Sequence, residues 1–428
     1  MNMRIIDKNV INKYIERRKQ DKLAETTINV ETKLLNEFYC WLKENNLNSF
    51  NFDTINNYIN SKAYNNVLKT TFNEFKFENN TLLQNTSYAF QNCAGLTGCI
   101  PYKTVNSNIV SIFESCKSNL INVSNMFNGC SMLTGNDIDN SVMVGIPDSL
   151  FSDCSNLQNV SGFFRGNTNH TFSIPTDIFD GCSAITDTSY MFYNCTLLQG
   201  SIPVNVFNDC RNTLQNVSYM FYGCLGLTGT LPTGTKDEFG NITQKGFLAD
   251  CLNLQNASYC FYDCEYLTGG FPEDMFYTSS ITDRYTSLTT VASMFYKCRG
   301  LNAAYYDEGT GLNYLVAPNF FTKCVALTNI SDIFRECYNI PACNVPETLF
   351  ARQVQLVTAD RAFFGIDHLT GTINATFMAN CIATLESVYA MFAFTNITQV
   401  VASFLHGSVK NTKLKYVGAL FYECTNLT

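Results

Sequence analysis

One short motif is repeated many times along the chain, and this repetition constrains the fold more than any other feature. The clearest copy is LQNVSYMFYGCLGLTG at 214–229, and close relatives occupy 120–135, 254–269 and 327–342. Its phenylalanine recurs mostly every 13 to 16 residues, and copies of the NVSxMF kind alternate with Pro-marked copies such as IPDSLFSDC. One full period is about 28 residues. Units of this length bury their apolar side only by stacking on their neighbours, which predicts a repeat solenoid.

Each unit has an internal spacing that predicts its local structure. Phe, Cys and Leu lie three residues apart, as in Phe221, Cys224 and Leu227, which indicates a short helical turn with one buried side. The serine three residues before the phenylalanine, such as Ser218, is the expected N-cap of that turn. Short runs such as 200–202 are expected to add strands. The predicted fold class is therefore an α/β repeat solenoid, with short strands and short helical turns in a double unit of about 28 residues.

Asparagine recurs in the same phase, two residues before the serine. Its positions are Asn85, Asn122, Asn159, Asn216, Asn256 and Asn329. We expect these amides to stack and to bridge the backbones of successive coils. Glycosylation of the N-x-S/T sequons is the alternative interpretation.

Cysteine is the other in-phase residue. Fifteen of the 19 cysteines follow the repeat phenylalanine by three or four positions, which predicts small buried side chains stacked in register. Zinc binding is the rival interpretation, but the sequence has no CxxC pair and only His170, His368 and His406 as histidines. We expect neither a metal nor another cofactor, and we expect His170 to lie in an exposed loop.

Two parts of the chain differ in charge. Residues 1–80 carry 12 Lys and Arg against 10 Asp and Glu, or +2, whereas residues 81–428 carry 16 against 26, or −10.

Apolar periodicity predicts helices near 1–24, 27–45 and 53–61, and hence a small α-helical capping or docking module at 1–80. Residues 26–60 resemble the helical core-binding module of tyrosine recombinases, but an acidic repeat region is a poor phosphate binder. We therefore expect no nucleic-acid partner.

Three long loops interrupt the repeats of 81–428 at one phase, namely 134–147, 228–247 and 302–321. Insertions at one phase emerge on one face of a solenoid, so we expect projecting loops there, the second with a hairpin around 240–241. The candidate partner-binding residues are Asp237, Glu238, Phe239, Asn241, Tyr305, Tyr306, Asp307 and Tyr314. The alternative is that these loops are tolerated surface excursions, with tyrosines that pack onto the repeats.

The recurring NVSxMFxxCxxLTG motif resembles the BspA-type leucine-rich repeats and the related repeats of mycoplasma-type surface lipoproteins. The resemblance covers about four-fifths of the chain, residues 81–428. It implies a right-handed leucine-rich-repeat solenoid that serves adhesion or protein binding.

Sequence motifs of catalysis are missing: GxGxxG, Walker, GxSxG and HExxH patterns do not occur in a usable context. We therefore expect a non-enzymatic structural or interaction protein. The opening residues lack a signal-peptide core, no apolar stretch approaches 18 residues, and the last repeat has no polar cap. These features favour a bacteriophage virion component, a tail or receptor-binding part that is made in the host cytoplasm without a signal peptide.

The expected partners follow from this interpretation. They are other protein subunits of an oligomeric assembly, together with a host-surface receptor or glycan, and no membrane insertion is expected. A BspA-type cell-surface adhesin is the first alternative, and an intracellular protein-binding scaffold is the second.

Overall fold

The computed structural model describes residues 80–96, 100, 102–105, 108–133, 145–239, 241–279, 285–401, 403–405 and 411–428. Apart from residue 80, the predicted helical module at 1–80 lies outside these residues. Within them there is no helix, and the regular elements are short strands. The predicted α/β solenoid with helical turns is therefore wrong.

Twelve strands occur in the described residues. They are β1 (Tyr102–Val105), β2 (Asn108–Ser111), β3 (Gly229–Thr230), β4 (Thr235–Lys236), β5 (Ile242–Gln244), β6 (Leu267–Thr268), β7 (Tyr305–Asp307), β8 (Leu312–Tyr314), β9 (Cys343–Asn344), β10 (Leu369–Thr370), β11 (Thr372–Ile373) and β12 (Gln399–Val400). The antiparallel pairs β1–β2, β4–β5 and β7–β8 are local hairpins. The parallel pairs β3–β6, β8–β9, β9–β10 and β11–β12 join segments from different repeats.

Single-residue parallel bridges connect the NVSxMF repeats in an unbroken series. The series runs through Asn85, Asn122, Asn159, Asp187, Asn216, Asn256, Thr290, Asn329, Thr358, Ser387 and Tyr416. Each of these residues bridges the next one, so equivalent positions of successive repeats lie side by side. The repeat phase read from the sequence is thus the hydrogen-bonding phase of the structure.

Backbone hydrogen bonds explain why the predicted helical turn does not form. The amides of Val217, Tyr219, Phe221 and Gly223 donate to carbonyl oxygens of the following repeat, at 2.8 to 3.0 Å. The amides between them bond back three residues, as Met220 does to the Val217 carbonyl at 3.2 Å. A helix would need every amide to bond within its own segment.

The backbone dihedral angles also exclude the predicted helical turn. Tyr219 has a φ of 58° and Gly223 a φ of 67°, and both values lie in the left-handed region that a right-handed helix cannot contain. Equivalent residues four positions apart have positive φ in the other repeats, for example Tyr190 and Asn194, both at 56°. The three-residue spacing of Phe, Cys and Leu therefore arises from successive tight turns.

Two columns of phenylalanine form the core. The first contains the NVSxMF rings, among them Phe192, Phe221 and Phe261, with neighbouring centroids 5.6 and 5.7 Å apart and planes within 11°. The second contains rings of the Pro-marked copies, such as Phe151 and Phe179, with centroids 5.9 Å apart. The two alternating kinds of repeat copy thus give two stacks, each buried from solvent, which meet at Phe247.

The turn is capped by asparagine rather than by serine. Oδ1 of Asn216 accepts a hydrogen bond from the amide of Ser218 at 3.0 Å, and Oδ1 of Asn256 accepts one from Ser258 at 2.9 Å. Asp187 does the same for Ser189. The prediction that serine is the cap is therefore wrong, and the amides bond within their own turn instead of bridging coils.

The cysteines are buried, as predicted, and they also donate hydrogen bonds. All 17 cysteines of the described residues are free thiols in the interior. Cys224 Sγ donates to the Phe192 carbonyl of the preceding repeat at 3.0 Å, and Cys264 Sγ donates to that of Phe221 at 3.1 Å. These two thiols thus give carbonyl groups in the dry core a second donor, beside the backbone amide that each carbonyl already accepts.

His170 contradicts its predicted place in an exposed loop. Its side chain has no exposed surface, and its ring centroid lies 3.9 Å from that of Phe172. Neither ring nitrogen has a hydrogen-bond partner among the described residues. Burial lowers the pKa of His170 to about 3, so the ring is neutral at physiological pH.

Candidate interaction surfaces

The second predicted loop, 228–247, contains the hairpin of β4 and β5. Asp237 holds its tip: Oδ1 accepts the amides of Phe239 and Asn241 at 3.0 and 2.8 Å, and Oδ2 accepts Nδ2 of Asn241 at 2.9 Å. Hydrogen bonds from Asn241 lower the pKa of Asp237. Asp237 and Asn241 therefore stabilise the turn, while Glu238 and the 81% exposed Phe239 are available to a partner.

The base of this hairpin is held close to the repeats by Asp274. Its Oδ2 accepts the amide of Gly234 at 2.8 Å, and its Oδ1 accepts the hydroxyl of Thr233 at 3.0 Å. A Cβ at Gly234 would overlap the backbone carbonyl of Gln244, so this approach requires glycine there.

The third predicted loop, 302–321, contains the hairpin of β7 and β8, in which Tyr305 lies opposite Tyr314. Oδ1 of Asp307 accepts the amide of Gly309 at 3.0 Å, so this carboxylate also serves the turn. Tyr306 is 59% exposed, whereas Tyr305 and Tyr314 are half-buried. In the first loop, only residues 145–147 belong to the described part of the chain.

A cleft of about 340 Å³ lies beside the hairpin of β4 and β5. The cleft is lined by residues of β4 and β5, by Glu273 and Asp274, and by Tyr277. Nζ of Lys236 lies 2.9 Å from Oε1 of Glu273 across this cleft. Burial raises the pKa of Tyr305, and the adjacent Glu273 carboxylate raises it further. The structure thus brings Lys236 and Tyr305 of the two predicted loops into one neighbourhood.

A second surface escaped the sequence analysis and consists of stacked tyrosines. We call it the tyrosine patch; it comprises Tyr190, Tyr193, Tyr219, Tyr222, Tyr259, Tyr262 and Tyr296, all half-buried. One column stacks Tyr219 on Tyr190 and Tyr259, with centroids 4.6 and 4.5 Å apart and planes within 9°. The other stacks Tyr222 on Tyr193 and Tyr262, at 4.7 and 4.3 Å.

Cationic side chains bound the tyrosine patch at both ends. The guanidinium of Arg165 lies 4.9 Å from the ring centroids of both Tyr190 and Tyr193. At the other end, the guanidinium of Arg335 lies 4.8 Å from the Tyr296 centroid. A cation over an aromatic face contributes on the order of 0.5–2 kcal/mol, so these residues cover the terminal rings and hold the rows in place.

The backbone beneath the patch is strained. Tyr190, Tyr219 and Tyr259 have φ values of 56°, 58° and 59°, a region that bulky side chains rarely adopt. Gly162 occupies the equivalent position one repeat earlier with a φ of 61°, the residue that best tolerates this conformation. Ring stacking offsets the strain, since each favourable aromatic pair contributes about 0.5–1.5 kcal/mol.

Two phenol groups of the patch, those of Tyr219 and Tyr222, stay protonated well into the alkaline range. Burial, followed by the neighbouring tyrosines, raises the pKa of Tyr219 to about 12, and the pKa of Tyr222 is also raised to about 12. The patch therefore presents neutral hydroxyl groups beside aromatic ring edges. In the sequence, the two tyrosines of the patch appear in the letters SYMFY at 218–222, but the motif NVSxMFxxC leaves both of their positions unspecified.

The described residues contain no group of three or more His, Cys, Asp or Glu side chains placed to hold a metal ion. No helix of sufficient length and apolarity to cross a membrane occurs in that part of the chain.

Comparison with known proteins adds little to this geometry. No protein-family model and no curated protein matches the chain. A weak, Toll-like structural neighbour is a chain in the structure of the Toll–Spatzle complex, described as a molecular hub in Drosophila development and innate immunity, in its glycosylated form. The match covers 73% of this chain but 35% of that chain, with 13% identity and a TM-score of 0.24. A likeness at this level does not test the BspA-type resemblance, which stays a prediction.

Proposed function

We propose that the protein is a non-enzymatic interaction protein, and that the tyrosine patch is the surface through which it contacts other protein subunits of an assembly. The observation that carries the proposal is the pair of stacked tyrosine columns between Arg165 and Arg335. Tyrosine offers a large contact area with a polar tip, and it is enriched at the energetic centres of protein interfaces. Rings that are already stacked lose little conformational freedom on binding, which favours affinity.

The two hairpins supply a further contact in this proposal. Phe239 is an exposed aromatic side chain on the turn that Asp237 stabilises, and Tyr306 is an exposed aromatic side chain on β7, just before the turn that Asp307 stabilises. Exposed aromatic residues on rigid turns are suited to insertion into a partner's pocket. The other predicted candidates on these hairpins either stabilise the turns or contact the partner at the edge of the interface. They are Asp237, Glu238, Asn241, Tyr305, Asp307 and Tyr314.

The more specific function remains the one expected from the sequence. We place the protein in a bacteriophage virion, as a tail or receptor-binding part, with a cell-surface adhesin as the alternative. Both roles need a preformed contact surface, and the tyrosine patch supports each of them equally. Finding the protein in virus particles or on cell membranes would distinguish between these two roles.

Hydroxyl-radical footprinting tests the proposal. The purified chain is compared with the same chain in intact particles or membrane fractions from the source culture, and oxidation of each peptide is measured by mass spectrometry. We expect Tyr219, Tyr222, Tyr259 and Tyr262 to be protected at least several-fold in the assembly, while the 61% exposed Tyr266 reacts equally in both. Equal oxidation of the patch in both states would overturn the proposal, and the fraction that contains the chain decides between virion and cell surface.

A further inference from the structure

The hairpin of β4 and β5 also lines a second cleft, and this cleft differs in charge from the one beside Glu273. Its volume is about 590 Å³, within the range of small-ligand sites. Arg211 and Lys245 line it together with Asn205, Asn208, Thr243 and other polar residues. Thr235 and Gln244 line both clefts, so the two clefts adjoin at the hairpin.

Arg211 has an unusual environment for a cation. It is 4% exposed, and its hydrogen bonds go to uncharged acceptors. Nη1 donates to the carbonyl groups of Gly246 and Ala249 at 2.8 and 2.7 Å, and Nη2 donates to Oδ1 of Asn208 at 3.0 Å. None of the ion pairs among the described residues includes Arg211. The donors are satisfied, but the positive charge is not neutralised, and an uncompensated buried charge is costly.

Lys245 does not remove this imbalance. Its Nζ lies 2.7 Å from Oδ2 of Asp250, a carboxylate that also accepts the amide and the hydroxyl of Ser279, both at 2.6 Å. Asp250 therefore pairs with Lys245, and none of the described carboxylates forms an ion pair with Arg211. The lining of this cleft includes two cations and no carboxylate, whereas the other cleft is lined by Glu273 and Asp274 as well as Lys236.

The rest of the lining is uncharged and hydrogen-bonding. The hydroxyl groups of Thr235 and Thr243 lie 2.7 Å apart, and the amides of Asn205, Asn208 and Gln244 add donors and acceptors. Such a lining suits a ligand with several hydroxyl groups rather than an apolar one. A polyanion is disfavoured, because residues 81–428 carry a formal charge near −10.

We infer that this cleft binds a small hydroxylated carboxylate of the acidic-sugar class, with Arg211 and Lys245 balancing the carboxylate and the Asn and Thr side chains contacting the hydroxyl groups. The cleft shares no residue with the tyrosine patch, so a test of ligand binding here does not depend on the proposed protein interface.

Isothermal titration of the full chain with sodium glucuronate tests this inference, and glucose serves as the uncharged probe. We expect glucuronate to bind with a dissociation constant on the order of 1 mM, and glucose to bind at least tenfold more weakly. Lys245→Gln, at a side chain that is 44% exposed, should weaken glucuronate binding about fivefold to tenfold. Thr243→Val should weaken it about threefold or more through the lost hydroxyl group.

Lys236→Gln is the matched control, because Lys236 is on the same hairpin but lines the opposite cleft. It removes the same charge from the chain and should leave glucuronate affinity unchanged. The inference is overturned if no binding is detected at a glucuronate concentration about 10-fold above the expected dissociation constant. It is also overturned if glucose binds as tightly as glucuronate, or if the two lysine variants lose glucuronate affinity to the same extent. Circular dichroism of each variant checks that the fold is retained. Arg211 is not substituted, because its hydrogen bonds to the Gly246 and Ala249 carbonyl groups hold the segment that follows β5.

Discussion

Cys224 donates its thiol hydrogen to the backbone carbonyl of Phe192 in the preceding repeat, over 3.0 Å. The same contact recurs between Cys130 and Phe90, Cys298 and Phe261, and Cys337 and Phe295, each at 3.0 Å. Burial raises the pKa of Cys224 well above its ordinary value, so the thiol keeps its hydrogen at neutral pH. Cysteine therefore combines the small volume that the core requires with a second donor for a carbonyl group that already accepts a backbone amide, as the Phe192 carbonyl accepts the amide of Cys195 at 3.0 Å.

Substitution of Cys224 measures this contribution. Cys224→Ala removes the donor and leaves a small void, so we expect a loss of about 1–3 kcal/mol in the free energy of unfolding. Cys224→Ser keeps a donor at the same position and should lose less than Cys224→Val, which keeps the volume without a donor. Urea denaturation supplies the values; if the serine variant is the less stable of the last two, packing alone explains the choice of cysteine.

Asn216 is the cap of its turn, and its replacement should reveal which of its atoms is needed. Asn216→Ala leaves the Ser218 amide without its side-chain acceptor, at an expected cost of about 1 kcal/mol. Asn216→Asp should be close to neutral, because Asp187 makes the same bond to Ser189 one repeat earlier. Thermal unfolding of the two variants distinguishes this role from an amide ladder, in which the aspartate would be as harmful as the alanine.

His170 should make stability depend on pH. Burial lowers its pKa in the folded state to about 3, below the ordinary value of 6.5. The unfolded chain therefore binds the proton first as the pH falls, and the stability contribution present above pH 6.5 is lost between pH 6.5 and 3 at up to about 1.4 kcal/mol per pH unit. His170→Leu should reduce this dependence, as seen in unfolding temperatures at pH 4.5, 5.5 and 7.5. An unchanged slope in the variant would assign the acid sensitivity to other groups.

The tyrosine patch should make the fold sensitive to alkali. The pKa values of Tyr219 and Tyr222 are raised from 10 to about 12, so the unfolded chain loses these protons first. Their contribution to stability is therefore present below pH 10 and is lost as the pH rises towards 12. Combined Tyr219→Phe and Tyr222→Phe substitutions keep the rings but should flatten the decline in unfolding free energy between pH 9 and 11. Tyr266→Phe, at an exposed ring, is the control and should change nothing.

The sequence predicted the phase of the repeats and the composition of the core, but not the local conformation. Phe221, Cys224 and Leu227 are all buried, as their spacing required. A spacing of three residues is common to helices and to successive tight turns, and apolar periodicity alone does not separate them. The positive φ of Tyr219 decides the matter, and a tyrosine gives no warning of it, because Gly and Asn are the residues that normally mark that region.

The candidate surfaces were predicted in part. Turn residues such as Asp237 and Asn241 indicated a hairpin, which the structure contains, and their carboxylate and amide hold its tip. Their role in partner binding stays a prediction. The tyrosine patch was not predicted because both of its positions carry tyrosine in only three successive copies of the motif and vary in the others, so the tyrosines do not stand out as a repeated feature.

The parallel bridges between repeats also have a mechanical consequence. Backbone bonds such as those from Tyr219 to Ser258 and from Phe221 to Cys260 run from one repeat to the next, both at 2.9 Å. A tensile force along the direction of stacking would load all the bonds of one junction together and would load the junctions one after another in series. The weakest junction would therefore open first and absorb work while the others stay closed, so that under tension the chain would lengthen in steps of about one repeat.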